Sequence, residues 1–303
     1  MGLNYYILDV FTERAFGGNP LAVVTEADKL TAPEMQAIAR EFNLSETAFV
    51  LKPTAPGHTA KVRIFTPTRE IAFAGHPTLG TAALLSELRM PVVNGERDAI
   101  IALEEEIGSV RVGVRLRAGA AAFAEFDAPK VPPKAELLND LDETAAAIGL
   151  ISSELGFENH RPMLVRDTNP FAFIPVSNLD AMSKVRAAPA HWPRAFSDRG
   201  IVGVYMYTRQ CVRAQSSFHA RMFAPDLGVP EDPATGSAAI GFARVVHAFD
   251  GLNDGTHKRT VEQGMEMGRP SNIGLLITIK NGELEGVRIG GHVVRVADGE
   301  MRV

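Results

Sequence analysis

The chain has 303 residues, 46% of them hydrophobic and 22% charged, enough for two cores of ordinary size. Its formal net charge of -5 excludes nucleic acid as a main partner, because neutralising phosphates takes a basic surface. The single cysteine, Cys211, excludes an intrachain disulfide and any cysteine-rich metal site.

In chain order, NYYILDVF from Asn4 reads as a strand, and ERAFGGNP as a loop that turns at Gly17-Gly18-Asn19-Pro20 into a second strand. LTAPEMQAIAREF carries a written helix start, with Thr31 as N-cap, Pro33 in the first turn and Glu34 three residues after the cap. Met35, Ile38, Ala39 and Phe42 form its apolar stripe, Asn43 can end it, and TAFVL begins a strand, so Glu46 falls at a helix-to-strand junction. HTAKVRIFTPT is a further strand. HPTLGTAALLSEL is small and apolar on every face, which marks a buried helix. AIIALEEEIGSVRVGVRLRAGAAAFAEFDAP reads as meandering strands and DLDETAAAIGL as a short helix. CVRAQSSFHARMFAP alternates like a strand, which would bury Cys211 in it, and Pro233 opens a second small-residue helix, PATGSAAIGFARVVHAF. The C-terminal run from Ser271 reads as strand, turn, strand, turn, strand. The start, MGLNYYILDVF, carries neither a basic leader nor a cleavage site, and no apolar run reaches spanning length, so a cytoplasmic protein with no membrane partner is expected.

One phrase occurs twice: RIFTPTREIAFAGHPTLGTAALL from Arg63 and RMFAPDLGVPEDPATGSAAIGFA from Arg221. Aligned on their second parts, His76 falls on Asp232, Pro77 on Pro233 and Gly80 on Gly236, with slippage relative to the Arg-x-Phe-x-Pro match before them. The repeat implies two similar halves, each wrapping strands around one small-residue helix whose N-terminus faces the other half. The expected domains are 1–117, open to completion by the C-terminal strand near 290–303, and 118–289.

Glu46, between two apolar runs, suits general acid/base work or a plain exposed junction. His76, just before Pro77, can orient a substrate or only pack; Asp232, before Pro233, can meet His76 across the halves or serve as a helix N-cap. Gly75, Thr78, Thr235, Gly236 and Ser237 offer backbone N–H and hydroxyl donors at helix starts, a pattern that favours an anion such as a carboxylate on a small metabolite. Asn19 can bond a ligand or its own turn, and Arg269 an anion or its own turn. His58, His76 and His219 lack metal-ligand spacing and no nucleotide-binding glycine fingerprint follows a strand, so neither metal nor cofactor is expected.

The motifs DVFTERAFGGNPLAVV, NLSETAFV, FTPTREIAFAGHPTLGTAAL, EDPATGSAAIG and QGMEMGRPS, in this order over almost the full length, make the chain resemble the PhzF-like (phenazine biosynthesis) isomerase family. That family shares the two-domain fold of diaminopimelate epimerase. The resemblance implies an α+β fold of two similar domains, each a strongly curved, mostly antiparallel sheet around a central buried helix, with the active site between them. It further implies a cofactor-independent isomerase, a homodimer, acting on a small carboxylate-bearing substrate. Glu46 matches the family's proton-shuttling glutamate, with His76 and Asp232 beside it as catalytic groups and Asn19, Ser45, Gly75, Thr78, Thr235, Gly236 and Ser237 as substrate contacts. The family's named reaction isomerises a dihydro-hydroxyanthranilate on the way to phenazines. Related epimerases place a cysteine at each of the two helix starts; this chain has His76 and Asp232 there, so two-thiol racemisation is unavailable. Two rivals stay open: a non-catalytic metabolite-binding protein, and a hydrolase using Ser237, His76 and Asp232.

Overall fold

A computed structural model describes residues 2–167 and 169–302. Met1, Thr168 and Val303 lie outside the described residues, and with them the first residue of the expected domain 1–117, one residue inside 118–289 and the last residue of the completing strand. The fold is α+β and dominated by strands, and the chain divides into two units. Unit 1 runs to Pro129 and regains Arg269–Ser271 and the chain from Arg288; unit 2 holds Lys130–Gly268 and Asn272–Val287. The division falls after Pro129 rather than at 117, because the strand Ala122–Asp127 is hydrogen-bonded on both sides within unit 1.

Unit 1 contains β1 (Gly2–Val10), β2 (Asn19–Val24), α1 (Ala32–Phe42), β3 (Glu46–Leu51), β4 (Ala60–Phe65), β5 (Glu70–Ile71), α2 (Gly75–Arg89), β6 (Glu96–Glu105), β7 (Gly108–Arg117) and β8 (Ala122–Asp127). Unit 2 contains β9 (Glu136–Leu137), α3 (Leu141–Ala147), β10 (Met163–Val165), β11 (Phe171–Pro175), α4 (Leu179–Lys184), α5 (Trp192–Ala195), β12 (Gly203–Thr208), β13 (Phe218–Ala224), β14 (Val229–Asp232), α6 (Gly236–Phe249) and β15 (Gly255–Gln263). β16 (Ser271–Lys280) and β17 (Glu283–Arg302) end the chain.

The strands of unit 1 close on themselves. β1 pairs β2, then β3, β4, β6, β7, β8 and β17 follow in turn, and β17 pairs β1 again. Only β2–β3 and β4–β6 are parallel. Closure removes sheet edges and leaves an interior that must be filled. The filler is α2, which packs on β1, β2, β3, β6, β7 and β8 and is buried without a break from Gly75 to Ser86. Its small residues allow this. A Cβ at Gly80 would stand 2.6 Å from Leu21 and 2.9 Å from Val10, closer than packed carbons approach. α1 lies outside the ring, where Met35, Ile38 and Ala39 cover Val24, Phe49 and Phe65. Its start is the expected capping box of Thr31 and Glu34, and Asn43 ends it in the left-handed conformation, φ 49°.

Unit 2 repeats the pattern sense for sense. β10–β11 is antiparallel, β11–β12 parallel, β12–β13 antiparallel and β13–β15 parallel, matching β1–β2, β2–β3, β3–β4 and β4–β6. α6 fills this sheet, with Phe242 set among Phe173, Tyr205, Tyr207 and Phe218. Trp192, Phe196, Met182 and Ile148, from the region of α3 to α5, build a second core on Ile174, Val204 and Met206. An ion pair is duplicated as well: Arg63 grips Glu70 with two bonds of 2.6 Å and lies over Phe65, and Arg221 grips Glu231 with two bonds of 2.8 Å and lies over Phe223.

The structure corrects the register of the repeat. Gly75 and Gly236 each begin a helix, and a Cβ at Gly241 would meet Phe173 of β11 at 2.8 Å as one at Gly80 meets Leu21 of β2. Gly80 therefore corresponds to Gly241, and His76 to Ser237 rather than Asp232. Three other local readings change. Asp232 closes β14 and is not an N-cap, since Thr235 holds that position. Cys211 lies in a half-buried turn before β13, because the strand begins only at Phe218. The C-terminal run has one turn fewer than expected, since β17 runs unbroken from Glu283 to Arg302; a Cβ at Gly291 would stand 2.4 Å from the Phe11 ring, so glycine is there for close approach. No helix among the described residues is long and apolar enough to cross a membrane.

Replacing Gly80 with Ala should destabilise the protein by about 1–3 kcal/mol through overpacking, although alanine intrinsically favours helix by about 1 kcal/mol. Urea denaturation measures it; an unchanged midpoint would show that α2 can step back from β1 and β2.

Candidate active site

Glu46 is the first residue of β3, in parallel register with Leu21, and the left-handed Asn43 turns the chain from α1 toward it. Its Oε2 lies 3.6 Å from Nε2 of His76, with side-chain exposures of 16% and 3%. Burial pushes the His76 imidazole down to about 3, so it is neutral at physiological pH and the contact is not an ion pair. A neutral imidazole can donate or accept one hydrogen bond beside the carboxylate without competing for its charge. Ser45 is half-buried just before Glu46, and Asn19 is fully buried at the start of β2, opposite Val10.

His76 and Gly75 sit in the first turn of α2, whose N-cap is Ala74. No side chain caps that turn and no acidic residue lies in it, in contrast to the complete box on α1. Thr78 is fully buried; its Oγ1 lies 2.8 Å from the Ala74 carbonyl and 2.7 Å from Oε1 of Glu105. α6 repeats the pattern: Thr235 is its N-cap without a capping bond, and its first turn holds no acid.

In unit 2 Asp232, 4% exposed, accepts a 2.6 Å bond from Oγ1 of Thr235. The buried Gln263 fixes this pair. Its Nε2 donates to the Asp232 carbonyl at 2.7 Å and to Thr235 Oγ1 at 3.0 Å, and its Oε1 accepts from Thr235 N at 3.2 Å. Because Thr235 Oγ1 receives the amide proton, its own proton is committed to the Asp232 carboxylate. The buried Tyr205 phenol is held well above its ordinary value by burial and then by the Asp232 charge, so it stays neutral. Gly236 and Ser237 form the first turn of α6, with Ser237 half-buried. Thus Glu46 and His76 are brought together in unit 1, and Asp232 and Thr235 in unit 2. Sequence reasoning missed Gln263, although it opens the QGMEMGRPS motif, and Glu105, which has no local signal beyond its polarity; both sit at strand ends.

Arg269, left open in the sequence, and His219 are both engaged in building the scaffold. Arg269 donates to the carbonyls of Gly17 and Gly18 at 2.7 and 2.8 Å and to Asp9, which also accepts from Phe16 N at 2.6 Å; together they pin the Gly-Gly-Asn turn before β2. His219, 1% exposed, has each ring nitrogen 2.9 Å from a carboxylate, Glu262 and Glu266. Burial opposes its charge, but those two bonds outweigh it and raise the imidazole to about 9. Burial, with the Glu262 charge adding to it, pushes the Cys211 thiol up to about 12, which leaves it unreactive near neutral pH. Among the described residues, no group of three or more His, Cys, Asp or Glu side chains could hold a metal ion.

The family model described as phenazine biosynthesis-like protein (PhzC-PhzF) matches residues 8–299. The chain belongs to this family. It is 48% identical over 303 residues to an uncharacterised isomerase of Mesorhizobium japonicum, covering 98% of each chain. It is 34% identical over 298 residues to the trans-2,3-dihydro-3-hydroxyanthranilate isomerase of Pseudomonas chlororaphis, again covering 98% of each. The crystal structure of a PhzF-family phenazine biosynthesis protein of Bacillus anthracis superposes with a TM-score of 0.86 at 25% identity, covering 100% of both chains. A hydroxyproline epimerase of Agrobacterium vitis, at 11% identity, a TM-score of 0.63 and coverage of 99% of this chain and 91% of its own, shares the fold. The protein is accordingly an isomerase of the PhzC-PhzF family.

The His219 clamp gives a pH dependence with a definite sign. A folded-state value raised from 6.5 to about 9 means that its contribution is complete below pH 6.5 and is lost as pH rises through 9. The stability difference between wild type and His219→Asn should therefore shrink across that window in urea denaturations; a difference independent of pH would remove the charged clamp.

Proposed function

We propose that this isomerase moves a proton within a small carboxylate-bearing metabolite, with Glu46 taking the proton from an activated carbon and returning it at another position of the same conjugated system. The observation that carries this reading is the placement of Glu46 against a buried, neutral His76 in the first turn of a helix with no cap of its own. A carboxylate next to a neutral imidazole can accept a proton and give it back without an ion pair having to break. His76 orients Glu46 or a polar group of the substrate. The uncapped first-turn N–H groups of α2, including that of Gly75, supply donors for the substrate carboxylate, and Gly236 and Ser237 on α6 offer the same kind of donor in unit 2. Asp232, fixed by Thr235 and Gln263, orients a polar hydrogen of the substrate. Asn19 and Ser45 remain secondary contacts in this reading. Thr78 is assigned to the scaffold, its hydroxyl being held between Ala74 and Glu105.

Trans-2,3-dihydro-3-hydroxyanthranilate is the first substrate to test, since relatives 34% and 32% identical over nearly the whole chain carry its isomerase name. Glu46→Gln keeps the shape and removes the base. It should lower kcat by about 10²- to 10⁴-fold with KM little changed, and should abolish deuterium uptake from D₂O into product. Asp232→Asn should reduce kcat/KM less severely. Wild-type turnover by Glu46→Gln would refute the assignment of the base. A wild-type enzyme inert toward this compound but exchanging deuterium into another carboxylate would move the substrate and keep the chemistry.

A further inference from the structure

The two units place a polar side chain at the same point of the repeat. Arg63 and Arg221 correspond through their shared ion pair and ring contact, which sets Ala60 against Phe218. In unit 1 Ala60 and Lys61 pair in parallel with Leu103 and Glu104; in unit 2 Phe218, His219 and Ala220 pair with Val261, Glu262 and Gln263. Leu103 thus corresponds to Val261, Glu104 to Glu262, and Glu105 to Gln263. Each of the last two is buried and bonds a threonine near the head of its unit's central helix: Gln263 to Thr235, and Glu105 to Thr78. Gln263 is uncharged by nature, whereas Glu105 is an acid.

Hydrogen-bond accounting settles which form of Glu105 fits. Thr78 Oγ1 has one proton and lies within bonding distance of two oxygens, the Ala74 carbonyl at 2.8 Å and Glu105 Oε1 at 2.7 Å. The carbonyl can only accept. Both contacts are favourable only when Thr78 donates to Ala74 and Glu105 supplies the second proton. The other carboxyl oxygen, Oε2, is buried with no hydrogen-bond partner among the described residues, a setting in which a carboxylate charge would be stranded. We propose that Glu105 is held as a neutral carboxylic acid and is the positioning residue of the α2 head, fixing the Ala74–His76 turn as the carboxamide Gln263 fixes Asp232 and Thr235. The functional half of this proposal rests on the reading of Glu46 and His76 given above.

Among the described residues, no charged side chain is hydrogen-bonded or ion-paired to Glu105. α2 and β7 pack on β6; from α2 comes Thr78, and from β7 the residue opposite is Gly108. On β4, Lys61 is paired with Glu104 and acts on that neighbour. Burial is the dominant influence on Glu105 and raises it from 4.5 to about 8, which favours the neutral acid.

Three variants test this. A group raised in the folded state contributes fully below its unfolded value and loses that contribution as pH rises through the folded one. Relative to Glu105→Gln, wild type should therefore lose stability from pH 4.5 to about 8, its folding constant falling by up to about tenfold per pH unit. Parallel curves in urea denaturation would overturn the neutral acid. Glu105→Ala, and Thr78→Val where the alanine variant does not fold, should shift the His76 imidazole ¹⁵N signals and lower kcat by roughly tenfold or more with KM less affected. Glu105→Gln should restore both. Loss of stability with unchanged imidazole signals would make Glu105 structural and overturn the positioning role. Because the imidazole spectrum needs no turnover, a displaced His76 alongside an active Glu46→Gln variant would refute the base and leave Glu105 as positioned here.

Discussion

The rest of the structure depends on burying the head of a helix inside a closed ring of strands. A helix start exposes backbone N–H groups that need partners, and on the surface a side chain such as that of Thr31 supplies one. α2 has no such cap and is buried from its first residue. The ring forces its side chains to be small, which explains Gly80 and the alanines, and it forces each polar group near the head to be neutral or closely bonded. His76 is neutral because it is buried, and Thr78 and Glu105 are hydrogen-bonded to one another. What remains is a short stretch of backbone donors beside one carboxylate, Glu46.

Duplication accounts for the scaffold and divergence for the chemistry. The ladder senses, the Arg–Glu grip over a phenylalanine ring and the helix glycine recur in both units. Glu46 has no such counterpart. Following the ladder from Thr47 opposite Phe65 and Val204 opposite Phe223, its equivalent is Gly203, where a Cβ would stand 2.4 Å from the ring of Phe171. A side chain cannot be accommodated there without moving that ring. Unit 2 instead places its carboxylate at Asp232, on a strand that has no acid at the matching end of β5 in unit 1, Ile71.

Much of this was legible in the sequence. The capping box at Thr31, the left-handed Asn43 and the all-round apolar helix follow from local patterns that the structure keeps. The α+β class and the family follow from motifs spread over the chain. The register of the repeat was not legible, because Pro77 and Pro233 are similar letters with different jobs: one lies inside α2, the other before α6. Nor were the partners of the helix heads. Glu105 and Gln263 lie far in sequence from the threonines they bond, and only strand pairing brings them there. Nor was the unbroken length of β17, since a turn and a close approach both call for glycine and at 290–291 only the Phe11 ring tells them apart.

The unmatched carboxylate bears on the kind of isomerisation the fold can support. An epimerase that inverts a carbon removes a proton from one face and delivers one to the other, which suits two equivalent groups, one from each repeat. Here the repeat equivalents are unlike: His76 faces Ser237 in the alignment, and Glu46 faces glycine. In the proposed reading a single base collects the proton and must give it back from the same side, so the product differs in where the hydrogen sits along the molecule and not in the hand of one carbon. A base that works alone in this way returns to its starting form after each turnover, and a neighbouring imidazole held neutral by burial cannot trap its proton as a buried ion pair. The neutrality forced by burying the helix head is then the same property that a returning base requires.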